Sequence, residues 1–165
     1  MKDQRAAAGL YETDKDKCTQ DWQKAYDKRT ELLRLFVDDY GLTVSGPHQD
    51  SQNDLVSHGK KVTRENDERA AVESLAASIV PEFTEQYSTY TGKATVTNNT
   101  GYDFDTISFK VELFDESNVK VETTGMYASH WLNGETIVLD CYTSVQEPPA
   151  TVKVVADYYQ VAESN

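Results

Sequence analysis

Three histidines, His48, His58 and His130, are the only side chains in the chain that titrate near neutrality by default. A serine triad needs a histidine within reach of a hydroxyl. In the C-terminal half only His130 is available, and its nearest serine is its neighbour Ser129. Successive strand residues point to opposite faces, so that pair cannot meet. No GxSxG, P-loop, HExxH or GxGxxG pattern occurs. His48 and His58 read as solvated loop residues, because a tetrahedral metal site needs three or four converging ligands. Asp103 and Asp105 share one face of a strand, Asp115 and Glu116 mark a turn, and Asp140 and Asp157 interrupt later strands. Calcium needs about six to eight oxygens, and no DxDxDG spacing gathers them. These carboxylates read as a solvated acidic face. The expectation is no cofactor, no metal site and no enzyme.

Aromatic residues suggest binding instead. The chain has 10 tyrosines. Tyr127, Trp131, Tyr142, Tyr158 and Tyr159 are the candidate ligand surface. Alternation puts Tyr158 and Tyr159 on opposite faces, so one of them looks outward. Tyr142 is out of phase with Ile137, Leu139 and Cys141. An exposed aromatic row would recognise a protein or a cell-surface glycan. The alternative, that these rings fill core positions, stays open at this point.

Charge narrows the partners. The formal net charge is -12. Residues 91–165 carry only Lys93, Lys110, Lys120 and Lys153 against 11 acidic residues, with no arginine. Phosphate backbones require clustered cations, so nucleic acid and anionic membrane surfaces are excluded as partners. No run approaches the roughly 20 apolar residues of a membrane-spanning helix. Met1 to Leu10 lacks an apolar h-region, so no signal peptide is read there. Cys18 and Cys141 show no CxxC or metal spacing. Cys141 alternates with Ile137 and Leu139 as a core residue, and a disulfide between the two cysteines is left open.

The elements that would position these residues follow from periodicity. Residues 14–40 form an amphipathic helix: Cys18, Trp22, Ala25, Tyr26, Leu33, Phe36, Val37 and Tyr40 recur at steps of three and four, Thr13 caps the start and Gly41 the end. Residues 41–63 read as a polar linker. Asn66 caps a second helix with Ala71, Leu75 and Ile79 on one stripe. Pro81 ends it near Val80 or kinks it before Phe83 to Tyr90. Past Gly92 the period changes to two. Strands are expected over 93–97, 105–115, 119–124, 126–131, 136–143 and 150–161, with turns at Asn98 to Gly101, Asp115 to Asn118 and Leu132 to Glu135. Asn98-Asn-Thr100 also matches the glycosylation sequon, which has meaning only in a eukaryotic secretory route. The expected class is α+β: two N-terminal amphipathic helices (1–89) and a C-terminal antiparallel immunoglobulin-like β-sandwich (90–165).

Within that half, Phe109-Lys-Val-Glu-Leu-Phe-Asp115 resembles the signature of FxLYD domains, with Phe114 where tyrosine is usual. The strand ending at Asn98, the strand Val119-Lys-Val121 and the turn Leu132-Asn-Gly-Glu135 extend the resemblance over about residues 90–161. It implies a small immunoglobulin-like sandwich from an exported bacterial or archaeal protein, often a lipoprotein with its anchor upstream, located outside the cell or on the envelope, and not a catalyst. In the motif, Phe109, Leu113 and Phe114 read as structural, and Asp115 as a turn former whose carboxylate accepts backbone N–H groups. The functional expectation is a non-catalytic extracytoplasmic binding module. Its alternatives are a glycan-binding module using outward aromatics, or an assembly module pairing through its helices.

Overall fold

A computed structural model describes residues 15–41 and 49–162. In chain order the elements are α1 (Lys15–Tyr40), α2 (Gln49–Ser78), β1 (Glu82–Gln86), β2 (Thr89–Thr97), β3 (Phe104–Phe114), β4 (Lys120–Trp131), β5 (Thr136–Tyr142) and β6 (Thr151–Val161). The class is α+β, with helices first and strands after. The chain divides into two compact units, Met1–Asp67 and Glu68–Asn165, and the division falls inside α2. Thr13, Asp14 and His48 lie outside the described residues.

In the first unit α1 ends where the sequence demands. Gly41 takes a φ of 61° and its N–H donates to the Val37 carbonyl at 2.9 Å, a left-handed cap. The polar linker expected over 41–63 is corrected: from Gln49 onward it is helical, and Asn66 lies inside α2 rather than at its start. Gly59 explains the misreading. A Cβ there would stand 2.6 Å from the Thr30 carbonyl oxygen and 3.2 Å from the Arg34 Cβ. The glycine is therefore where the two helices touch, and it completes a buried stripe with Val62 that looks interrupted in the sequence. Beside the crossing His58 Nε2 lies 2.9 Å from an Asp27 carboxylate oxygen, and its ring packs on Tyr26. Among the described residues, no helix is long and apolar enough to cross a membrane.

The second unit opens with the tail of α2, which places Val72, Leu75, Ala76 and Ile79 in the same core as the strands. The helix stops at Ser78, three residues ahead of Pro81, which has no N–H to give. Instead of kinking onward, residues 82–86 form a strand. Tyr87 and Ser88, with φ of 54° and 64°, make a two-residue turn into β2. A three-stranded sheet runs β1-β2-β5 and a second runs β4-β3-β6, every pairing antiparallel. The strand orders β1-β2-β5 and β4-β3-β6 correspond to the A-B-E and C′-C-F pairings of an immunoglobulin-type sandwich. β4 is continuous through Gly125, which pairs with Lys110, where two separate strands were expected.

One cluster of buried residues joins both sheets. Ile107, Phe109, Val111 and Leu113 of β3 meet Met126, Ala128 and Trp131 of β4 and Ala94, Val96, Leu139 and Cys141 of the other sheet. Gly92 is required there: a Cβ would lie 2.8 Å from the Cys141 Sγ and 2.9 Å from the Phe83 ring. Burial raises the Cys141 thiol above its ordinary value. Cys18 is buried in the first unit, Cys141 in the second, and no disulfide is present among the described residues.

Candidate functional site

The outward face of β4-β3-β6 follows from the alternation of β3. With Ile107, Phe109, Val111 and Leu113 buried, Thr106, Ser108, Lys110 and Glu112 must face away from the core. Register then decides their neighbours. Ser108 pairs with Tyr127 on β4 and with Tyr158 on β6. Both tyrosines are well exposed, at 61% and 56%. Neighbouring strands lie about 4.7–4.9 Å apart, so the two tyrosine backbones stand roughly 9–10 Å from each other across the small Ser108.

The rows on either side are polar except for Gly125 and Val155. One is Ser129, Thr106 and Gln160; the other is Gly125, Lys110 and Val155; beyond it lie Thr123, Glu112 and Lys153. Gly125 leaves open ground beside Lys110, whose ammonium pairs with Asp157. Glu112 accepts a hydrogen bond from Lys120 at 3.0 Å, with Lys153 at 3.9 Å. The Lys120 bond, opposed by desolvation and aided by the nearby lysine charges, holds the Glu112 carboxyl below its ordinary value.

A bulge sets which ring faces out. Ser108 pairs with Tyr158 but Phe109 pairs with Ala156, so Asp157 is an extra residue in β6. Beyond it Tyr158 points outward. Tyr159 turns in and meets Phe104 edge-on, with centroids 6.4 Å apart. Bulges of this kind re-aim side chains.

The five candidate rings therefore separate. Tyr127 and Tyr158 share one face. Tyr142, 68% exposed, lies on β5 in the other sheet, where its hydroxyl donates to Asp140 at 3.2 Å. Trp131 and Tyr159 are corrected. Trp131 is 1% exposed and its indole donates to the Glu135 carbonyl at 3.0 Å, so it closes the core under the Leu132 turn. Tyr159 packs on the core with Phe104. Aromatic residues next to a turn are as useful for sealing a core as for binding, and composition does not separate the two uses.

The motif residues hold structural positions. Phe109 and Leu113 are buried, and Phe114 is half-buried at the end of β3. One Asp115 carboxylate oxygen accepts the N–H groups of Ser117 and Val119, each at 2.9 Å, and Asn118 takes a φ of 58°. An open cleft of about 520 Å³ adjoins this turn, lined by Phe114, Val121, Val145, Pro148 and Pro149 together with Glu116 and Glu147. Among the described residues, no three His, Cys, Asp or Glu side chains gather at metal-binding distance.

One organising residue was missed. Asn98 is fully buried. Its amide donates to the Tyr102 carbonyl at 2.8 Å and the Trp131 carbonyl at 3.3 Å. Its side-chain oxygen accepts from the Thr100 hydroxyl at 2.6 Å and the Thr100 N–H at 3.2 Å. Its backbone bonds Glu135 and Gly134. An asparagine so engaged cannot carry a glycan in the folded state, whatever the sequon suggests. The available signal was an asparagine closing a strand before a polar turn.

Comparison of the chain with family models, curated proteins and solved structures gives no match. The geometry alone must carry the reading. It offers two ring faces and, around them, hydroxyls, an amide and ion-paired charges on a sheet that holds their positions.

Proposed function

We propose that this chain is a non-catalytic recognition module that binds a carbohydrate chain across the outward face of β4-β3-β6. The observation that carries the reading is the exposed pair Tyr127 and Tyr158 on either side of Ser108. Sugar rings present C–H faces that stack on phenols, and hydroxyls that need donors and acceptors together. Ser108, Thr106, Ser129 and Gln160 supply both. A protein partner would be anchored by side chains in a desolvated apolar pocket. Within these rows Val155 is the one aliphatic residue, which favours the glycan over the protein.

The FxLYD relationship belongs to the same proposal, and with it export and attachment to the envelope. The burial of Phe109 and Leu113 and the turn built by Asp115 support that relationship as a structural one. A second reading is an assembly module. It draws support from Leu32, Leu35, Phe36 and Tyr40 on α1, which are exposed although apolar.

The test is a glycan array probed with the intact chain, followed by titration of the best hits against Tyr127→Ala and Tyr158→Ala. Each variant is expected to lose about 1 kcal/mol of binding, roughly fivefold in Kd. An array without hits, or hits indifferent to both substitutions, would overturn the proposal.

A further inference from the structure

The two sheets finish their outer edges differently. β1, one of the two outer strands of β1-β2-β5, is five residues long and carries Glu82 and Glu85. A short, charged strand is how proteins blunt an edge against further pairing. β6, one of the two outer strands of β4-β3-β6, is 11 residues long. Its sequence, Thr151-Val-Lys-Val-Val-Ala-Asp-Tyr-Tyr-Gln-Val161, is rich in β-branched and aromatic residues, and its one lysine and one aspartate cancel. β3 pairs along one side of it. Among the described residues, the only backbone bonds at its ends are those of Ala150 to Phe114 and Ala162 to Asp103, and none reaches its other side.

Burial points the same way. The inward residues of β3 (Ile107, Phe109, Val111, Leu113) are buried outright, as are Met126, Ala128 and Trp131 of β4, while Glu122 and Thr124 of β4 are partly exposed. Those of β6 (Val152, Val154, Ala156, Tyr159, Val161) touch the same core but all remain partly exposed. The core is thus incompletely covered along the β6 edge.

We propose that the edge of β6 pairs with β6 of a second copy of this chain, antiparallel about a twofold axis through Val155, to make one continuous six-stranded sheet. Charge selects both the partner and the register. With Val155 facing its own counterpart, Lys153 of each copy stands directly opposite Asp157 of the other. Opposite charges across an antiparallel pair stabilise that register, and a twofold axis makes the contact twice. Displacing the axis by one residue either way sets Lys153 or Asp157 against an uncharged residue. The bulge at Asp157 adds twist, which disfavours stacking of many copies and suits a closed pair. Backbone pairing of this kind is the β-augmentation mode of recognition.

The experiment follows the mass of the intact chain by light scattering over the micromolar range, then repeats it with K153D and with K153D/D157K. The wild type is expected to run as a dimer that dissociates on dilution. K153D sets aspartate against aspartate and is expected to run as a monomer. K153D/D157K restores opposite charges in the same register and is expected to recover the dimer. The far-UV circular dichroism of each variant checks that it is folded. A second test does not depend on the charges. Under mild oxidation Val155→Cys should give a reducible cross-linked dimer, whereas Thr151→Cys, whose counterpart lies at the far end of the strand, should not. A wild type that stays monomeric, a dimer untouched by K153D, or Val155→Cys cross-linking no better than Thr151→Cys would each overturn the proposal. A dimer that is insensitive to β6 substitutions would place the contact elsewhere.

Discussion

The two sheets cover one core and turn different chemistry outward. On β1-β2-β5 the exposed row runs through Thr95, Thr136 and Val138, with Lys93 between Glu82 and Asp140 and, within the strands, one well-exposed ring, Tyr142. On β4-β3-β6 two exposed rings lie across one small residue, between largely polar rows. Tyr142 is the most exposed of the three, at 68%. Exposure alone therefore does not distinguish the faces. The difference is register: Ser108 holds two tyrosines in one row, and Tyr142 has Thr91 beside it. A recognition surface needs several groups at fixed spacing, and only one sheet supplies them.

The largest effect expected is on the core that both faces share. Phe109→Ala should cost about 3–5 kcal/mol of stability by the loss of a buried ring and the cavity left behind. Lys110→Ala, one residue on and outward, should change it by less than about 1 kcal/mol. Urea denaturation of the two variants measures the contrast. If Lys110→Ala proved the more damaging, the assignment of faces along β3 would be wrong.

Asn98→Ala should rank next. Asn98 closes β2 in one sheet and bonds the Trp131 carbonyl that ends β4 in the other. Removing its amide leaves buried carbonyls unpaired, at roughly 1–3 kcal/mol for each group stranded. A drop in denaturation midpoint together with a change in Trp131 fluorescence is the expected result. No change in either would remove Asn98 as a link between the sheets.

These contrasts also show what could be read in advance. The alternation of β3 announced its strand and its faces, because four buried residues and four wetted ones leave a single register. The Asp115 and Leu132 turns were legible from their residue types. β1 was not, since only Phe83 in Glu82–Gln86 is apolar and the turn Tyr87-Ser88 lacks the Gly or Asn that marks its kind. The first half of α2 was hidden because Gly59 reads as a breaker until the neighbouring helix is in place. For the site, parity said that Tyr158 and Tyr159 differ in direction but not which faces out, since that depends on the bulge at Asp157. Nothing local in the sequence says that Tyr127 and Tyr158 flank Ser108. Pairing between distant strands decides it.

A smaller effect sharpens the electrostatic side of the same face. The folded-state value of Glu112 is depressed, first by the hydrogen bond from Lys120. Its contribution is therefore present above the ordinary carboxylate value and is lost as pH falls through the lowered one. The carboxylate is solvent-screened, so the effect is slight. The difference in stability between wild type and Glu112→Gln should shrink as the solution is acidified over that interval. A difference that grows on acidification would contradict the assigned partners.

The central claim is that the Tyr127–Ser108–Tyr158 face binds and that the Tyr142 face does not. Titration of one array-selected oligosaccharide against the wild type and three variants, Tyr127→Ala, Tyr158→Ala and Tyr142→Ala, tests it most directly. Affinity should fall in the first two, by about 1 kcal/mol each, and stay at the wild-type value in the third. Loss of binding in Tyr142→Ala with the other two unaffected would contradict the account.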